Sequence, residues 1–249
     1  LHGGYGDGEK IAKLTRFDQI AQREGFVVVY PDALNKHWND GRGQNESVDD
    51  VGFLKNLIET LLGEFSLDRS KVYVTGASNG GMMTLRLACE ITPALAAVAP
   101  VIASMPEPLA GKCCPTASLP ILIINGENDP LVPWNGGDVR IQRRKLGRVI
   151  STPETVAFWV KNNGCLSKPV ITYLPDRNPK DGSRVRVEKY SGPSVESEVL
   201  LYAVEGGGHT WPGGVQYMPE WLIGKTNRDF SASEEIWNFF KRHKRRSEP

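Results

Sequence analysis

Four stretches of the 249-residue chain hold side chains whose types and order can do chemistry. The first, Thr75-Gly76-Ala77-Ser78-Asn79-Gly80-Gly81, contains G-x-S-x-G. Glycine and serine are common, so the pattern alone says little. Its setting says more, because a strand-like run precedes it and a helical pattern follows. That is the arrangement of a nucleophile elbow, which holds a serine on a strained turn. A helix starting there aims its positive dipole end at a developing oxyanion. The serine needs a base. Of four histidines, His209 and His243 follow Ser78, as the chain order serine, acid, histidine requires. His243 falls in a basic tail. His209 falls in the glycine-rich stretch 205–214, which can carry an imidazole to the end of a sheet, so His209 is the candidate base. The orienting acid should end a strand between the two. Asp129 in Asn125-Gly126-Glu127-Asn128-Asp129-Pro130 is the first choice and Glu127 the alternative. Bland readings of the same residues are a glycine-rich turn and an Asp-Pro turn.

The fourth stretch opens the chain: Leu1-His2-Gly3-Gly4-Tyr5-Gly6-Asp7-Gly8. An oxyanion hole in such a site takes one N–H from the residue after the nucleophile, here Asn79. The second comes from an earlier His-Gly-Gly-type loop, where Gly4 or Tyr5 would supply it. Such a loop normally follows a strand, and none precedes Leu1. Upstream strands of a longer gene product are therefore expected, because an oxyanion donor must be held to roughly 0.5 Å.

The elements that must position these residues alternate between strand and helix character, which predicts a parallel sheet with helices on its faces. Residues 26–30 (Phe-Val-Val-Val-Tyr), 71–75, 95–103 and 121–124 read as buried strands, and 170–174, 185–190 and 198–204 as further ones. Helical spacing covers 10–24, a long helix started by Ser47 and Asp50 and running to about Phe65, then 80–89 and 151–162. A last helix is capped by Ser231 with Glu234. Residues 178–182 read as a turn.

Bulk properties exclude more than they select. A net charge of +1 gives no electrostatic case for nucleic acid. The basic cluster Lys241-Arg242-His243-Lys244-Arg245-Arg246 reads as a solvated helix end. No run of about 18 apolar residues could span a membrane, and no signal peptide is visible. Cys89, Cys113, Cys114 and Cys165 show no zinc-ligand spacing and are too few for a disulfide framework in a chain of this length. Cys113 and Cys114 are adjacent and would bridge each other only with strain.

Ser78 within TGASNGGMM, with VDDVGFL at 48–54, GENDPLVPW at 126–134 and GGGHTWPGG at 206–214, resembles the poly(3-hydroxybutyrate) depolymerase-like esterases, to which feruloyl and acetylxylan esterases are close. The resemblance runs from Leu1 to about His243. It implies an α/β-hydrolase fold, with Ser78 as nucleophile, Asp129 as acid, His209 as base, and Gly4 and Asn79 near the oxyanion. It also implies an extracellular or periplasmic setting. Many members pair a cysteine at the Cys165 position with one just before the last strand. Residues 191–198 hold no cysteine, so Cys165 is expected to lack that partner.

The combined expectation is one α/β-hydrolase domain: a mostly parallel sheet flanked by helices. Residues 104–119 are too few for a large lid. The chain would hydrolyse carboxylic esters through an acyl-enzyme, without metal or cofactor. Its substrates would be short-chain, feruloyl or polyester esters. Trp38, Trp134 and Trp211 fall on loops at the catalytic edge and could wall such a site, or could pack loops onto the core. An acetylxylan esterase, a thioesterase or peptidase with the same three residues, and a non-catalytic fragment or binding protein remain as alternatives.

Overall fold

The computed structural model describes residues 1–192, 194 and 197–245. Its strands are β1 Tyr73–Ala77, β2 Ala97–Val101, β3 Ile121–Gly126, β4 Gly137–Ile141, β5 Arg144–Val149, β6 Val170–Tyr173, β7 Arg184–Tyr190 and β8 Val199–Glu205. The helices are α1 Gly8–Thr15, α2 Phe17–Glu24, α3 Asp50–Glu64, α4 Asn79–Glu90, α5 Glu107–Ala110, α6 Thr152–Asn162, α7 Glu220–Ile223 and α8 Ala232–Phe240. Six strands form the main sheet in the order β1-β2-β3-β8-β7-β6, and β4 and β5 pair as a separate hairpin. The run from β1 through β8 is parallel. The other two strands are antiparallel.

Both faces of the sheet are covered, so its central strands are apolar without alternation. Every residue of β2 and β3 is buried. Successive side chains point to opposite faces. Val98, Ile121, Ile123 and Leu201 pack with Leu54 of α3, Met83 and Leu87 of α4, and Trp159 of α6. Ala99, Leu122, Ile124 and Tyr202 pack on the other side with Ile11, Phe17 and Ile20 of α1 and α2, and with Ile236 and Phe239 of α8. The result is a three-layer sandwich whose parallel strands all end at one edge.

Several local expectations are corrected. Residues 26–30 belong to no strand, and Val27 and Val29 are exposed. A cavity of about 590 Å³ is bordered by this segment and by β1, with Val28, Leu57, Leu61, Val72 and Val74 among its lining. A strand requires a ladder to a neighbour ~4.8 Å away, and residues 26–30 pair with none among the described residues. The helix read over 10–24 breaks at Arg16, whose φ of 54° is left-handed, into α1 and α2. The N-cap of α3 is Asp49, whose carboxylate accepts from Gly52 N at 2.9 Å, not Ser47. The β4–β5 hairpin had no expectation at all.

The tail beyond α8 is docked as far as it is described. His243 is buried, its carbonyl accepts from Tyr73 Oη at 2.6 Å, and Arg245 N donates to Ser70 O at 2.8 Å. Arg246, in the basic cluster, lies outside the described residues. Cys89 and Cys113 form a disulfide that ties the last turn of α4 to the segment after α5. Cys114 and Cys165 are free thiols. Cys165 Sγ contacts Ser197 O at 2.6 Å. Of the stretch expected to lack a cysteine partner, Pro193, Val195 and Glu196 lie outside the described residues. Among the described residues no helix is long and apolar enough to cross a membrane.

Candidate active site

Ser78 sits between β1 and α4 at φ 55°, ψ −117°. That conformation costs a non-glycine residue roughly 1–3 kcal/mol, so the surroundings must impose it. They do so through glycines that allow close crowding. A Cβ on Gly76 would lie 2.4 Å from Gly80 C, and one on Gly80 would lie 2.4 Å from Leu1 O. Strand, helix and opening loop therefore meet with no room for side chains. Ser78 N donates to Val101 O at 2.9 Å, anchoring the turn to β2. Ser78 is half-buried, and its hydroxyl has no hydrogen-bond partner among the described residues.

Asp129 follows β3 and His209 follows β8, so the topology brings both to the edge where Ser78 ends β1. His209 Nδ1 and Asp129 Oδ2 are 2.7 Å apart, with both side chains almost wholly buried. Asp129 Oδ1 accepts from Leu131 N and Val132 N, each at 2.8 Å. A carboxylate only accepts, so the imidazole carries its proton on Nδ1 and leaves Nε2 as an acceptor. Glu127 takes no part. It pairs with Arg186 of β7 at 2.9 Å, and Arg186 also pairs with Glu205. His209 is held in turn by Tyr217, whose hydroxyl donates to His209 O at 2.6 Å. Tyr217 is 41% exposed overall, but its hydroxyl end is turned in against His209 O, and desolvation there raises the phenol above its usual range, with the nearby Asp129 charge adding to this.

The opening loop lies against the elbow. An ideal Cβ on Gly3 would be 3.6 Å from Ser78 Cβ, and one on Gly4 would be 3.8 Å from Asn79 Cβ. His2 pins the loop, because its Nε2 accepts from Ala33 N at 3.0 Å while Nδ1 contacts Gly3 O at 2.8 Å. Burial pushes this imidazole below the usual histidine range, which suits a neutral ring with one donor and one acceptor. Tyr5 N donates to Lys36 O at 2.8 Å, whereas the N–H groups of Gly4 and Asn79 have no partner among the described residues.

Of the tryptophans expected at the site, two are structural. Trp38 is wholly buried and its Nε1 donates to His2 O at 3.1 Å. Trp211 is 1% exposed, with Nε1 donating to Ser233 Oγ at 3.0 Å. Neither has surface to offer a ligand. Trp134 is half-buried against the core. The exposed apolar side chains beside the His209 loop are ones that sequence reasoning missed: Val215, Tyr217, Met218 and, at 83% exposure, Trp221 of α7. Their segment is hydrogen-bonded to the His209 loop. Gly208 N donates to Lys225 O at 3.0 Å, and Gln216 ties Gly224 O and Thr226 N together. A buried ion pair, Asp40 with Arg42, was also missed. No group of residues suited to a metal ion occurs among the described residues.

No protein-family model matches the chain. NocK of Nocardia uniformis subsp. tsuyamanensis, named as an esterase, is 32% identical over 252 residues, spanning 96% of this chain and 72% of its own length. Feruloyl esterase B of Piromyces equi is 28% identical over 197 residues, 77% of this chain but 35% of that protein. Among solved structures, the acetyl xylan esterase from Aspergillus awamori matches 96% of this chain and 86% of its own, with a TM-score of 0.59 at 14% identity. At that identity the likeness speaks for the fold, that of the α/β-hydrolases.

Proposed function

Because the chain belongs to the feruloyl esterase-like family of serine esterases and is a carboxylic ester hydrolase, we propose that Ser78, His209 and Asp129 carry out the hydrolysis. The observation that carries this reading is the buried 2.7 Å contact of His209 Nδ1 with Asp129, on the same sheet edge as a serine held at φ 55°. Ser78 Oγ attacks the ester carbonyl while His209 Nε2 takes its proton. Asp129 holds the ring and offsets the imidazolium charge. The carbonyl oxygen, now an oxyanion, receives the free N–H groups of Asn79 and Gly4. Tyr5, whose N–H is already bonded to Lys36, is set aside. As the intermediate collapses, His209 gives the proton to the leaving alcohol and an acyl-serine remains. Water attacks it with His209 again as base, releasing the acid and restoring Ser78.

The substrates proposed are short-chain and hydroxycinnamoyl esters. Support comes from the feruloyl esterase relatives and from the exposed Trp221 and Tyr217 beside the histidine loop, which offer flat apolar surface to a ring. The test is turnover of p-nitrophenyl acetate, methyl ferulate, acetylated xylan and a matched anilide, by the parent chain and by Ser78→Ala. Ester turnover lost in Ser78→Ala, with the anilide untouched, is the expected result. Turnover that survives Ser78→Ala would refute the assignment. Cleavage of the anilide would favour a peptidase.

A further inference from the structure

Resting on that reading of Ser78, we propose that the buried Asp40–Arg42 ion pair is a positioning device for ester hydrolysis: acting through Asn79, it fixes the backbone N–H that receives the oxyanion. Asp40 and Arg42 have side chains 0% and 1% exposed. Asp40 Oδ2 accepts from Arg42 Nε at 2.9 Å, Arg42 Nη2 at 2.6 Å and Asn79 Nδ2 at 2.6 Å. Asp40 Oδ1 accepts from Arg42 N at 3.1 Å. Arg42 Nη1 reaches across to Leu146 O of β5 at 2.9 Å. Asn79 is gripped a second time by the main chain of Trp38, whose N–H donates to Asn79 Oδ1 at 2.8 Å and whose carbonyl accepts from Nδ2 at 3.0 Å.

Stability alone does not account for such a pair. Two charges withdrawn from water are costly, and apolar residues of the same volume commonly do as well or better. What the pair supplies is geometry. It joins the loop carrying Trp38 and Asp40, the nucleophile turn, and the hairpin that follows Asp129. The hairpin is pressed onto it, since a Cβ on Gly147 would lie 2.7 Å from Arg42 O. Below it, Met82 of α4 shares a small core with Val132, Val139, Leu146 and Val149.

Asn79 is the first residue of α4, so its N–H has no partner inside the helix. Its direction is set by whatever holds the side chain and the turn. The same loop also braces the other donor. His37 lies 3.0 Å from where a Cβ on Gly4 would be, and Lys36 O holds Tyr5 N. One loop thus registers both N–H groups against each other. The charge balance is part of the device. A lone Asp40 carboxylate so close to the elbow would oppose a forming oxyanion, and Arg42 cancels it.

The test uses the full chain and p-nitrophenyl acetate, with phenylboronic acid as a tetrahedral adduct former. Asp40→Leu combined with Arg42→Met removes both charges at similar volume. The expected result is a thermal midpoint close to the parent's, kcat down by about 10- to 100-fold, KM within about twofold, and boronate affinity reduced in step with kcat. Asn79→Ala cuts the amide clamp while leaving the ion pair intact, and the same split is expected. Should the double variant fail to fold, Asn79→Ala decides. Parental kcat in either folded variant would overturn the proposal, as would KM and kcat changing together without loss of boronate affinity. Ser78→Ala, run alongside, separates the two levels of argument. If it abolishes turnover and the clamp variants keep parental kcat, only the positioning role falls. If it leaves turnover intact, the site reading falls and this role with it.

Discussion

Replacing Asp129 by asparagine tests the heart of the site, because the structure leaves the new amide no comfortable orientation. The carboxylate accepts three N–H groups: Leu131 and Val132 on one oxygen, His209 on the other. An amide offers one acceptor and one donor. If its oxygen stays with the two backbone N–H groups, its NH₂ faces His209 Nδ1. The ring must then accept at Nδ1 and carry its proton on Nε2, where it can no longer take one from Ser78. If the amide flips, two backbone donors face an NH₂, at a cost of about 1–3 kcal/mol for each bond left unmade. The first orientation is therefore favoured, and it holds the wrong tautomer. The lost carboxylate charge adds to the effect, since a charge pair ~4 Å apart is worth about 4 kcal/mol at an effective dielectric of ~20. Together these predict a fall in kcat of about 10³- to 10⁴-fold, or roughly 4–5.5 kcal/mol of barrier. KM should stay within about threefold, because no step of the proposal has Asp129 touching substrate. The assay is steady-state hydrolysis of p-nitrophenyl acetate, with circular dichroism to show a folded variant. Glu127→Gln is the companion, expected to keep kcat within about threefold because Glu127 faces Arg186. More than about a tenth of parental kcat in folded Asp129→Asn, or an equal loss in Glu127→Gln, would refute the reasoning.

Other consequences follow from the same geometry. Trp221→Ala should raise KM for methyl ferulate about two- to tenfold, the worth of one ring–ring contact, and leave p-nitrophenyl acetate unchanged; an equal effect on both esters would remove Trp221 from substrate binding. Reducing the Cys89–Cys113 bridge, which closes a separation of 24 residues, should lower stability by about 3 kcal/mol in urea unfolding, while thiol titration rises from the two free cysteines, Cys114 and Cys165, to the four in the sequence. Glu198 gives a pH signature: burial alone would raise its pKa, but His243, Lys189 and Arg242 outweigh burial and bring it from 4.5 to about 2. A depressed carboxylate contributes stability that is present above pH 4.5 and lost as pH falls towards 2, here up to about 3 kcal/mol. Glu198→Gln should flatten the acid limb of an unfolding-midpoint titration over that window, and an unchanged limb would show that the ion cluster is not felt.

How legible the molecule was in its sequence depended on how far each property reaches along the chain. Ser78, Asp129 and His209, the residues proposed to act, stand out because the types expected of a nucleophile turn, an acid and a base each leave a local mark, and chain order narrows the choice further. Strands β2 and β3 were legible for a similar reason, since burial on both faces writes an unbroken apolar run. Residues 26–30 write the same run and yet form no strand, because a ladder needs a neighbour within reach and that condition lies outside the segment. The β4–β5 hairpin escaped notice because its exposed face carries Arg140, Arg144, Lys145 and Arg148, and only Val139, Leu146 and Val149 turn inward. Arg16 and Ser78 take the same left-handed φ, but only Ser78 has crowding glycines around it to announce the turn.

Substrate-facing residues are the least legible of all, and the tryptophans show why. Trp38, Trp211 and Trp221 are chemically identical, and all three sit in loops or short elements near glycine and proline. What separates them is partner and exposure. Trp38 finds His2 O, Trp211 finds Ser233 Oγ, and Trp221 is left in solvent. Those partners lie 36 and 22 residues away, brought together only by the finished fold. Catalytic chemistry is a property of residue type and order, whereas specificity is a property of which side chains the fold leaves uncovered. A sequence of this kind therefore points to its reaction well before it points to its substrate, and the aromatic residue to mutate first is the one the fold leaves in solvent.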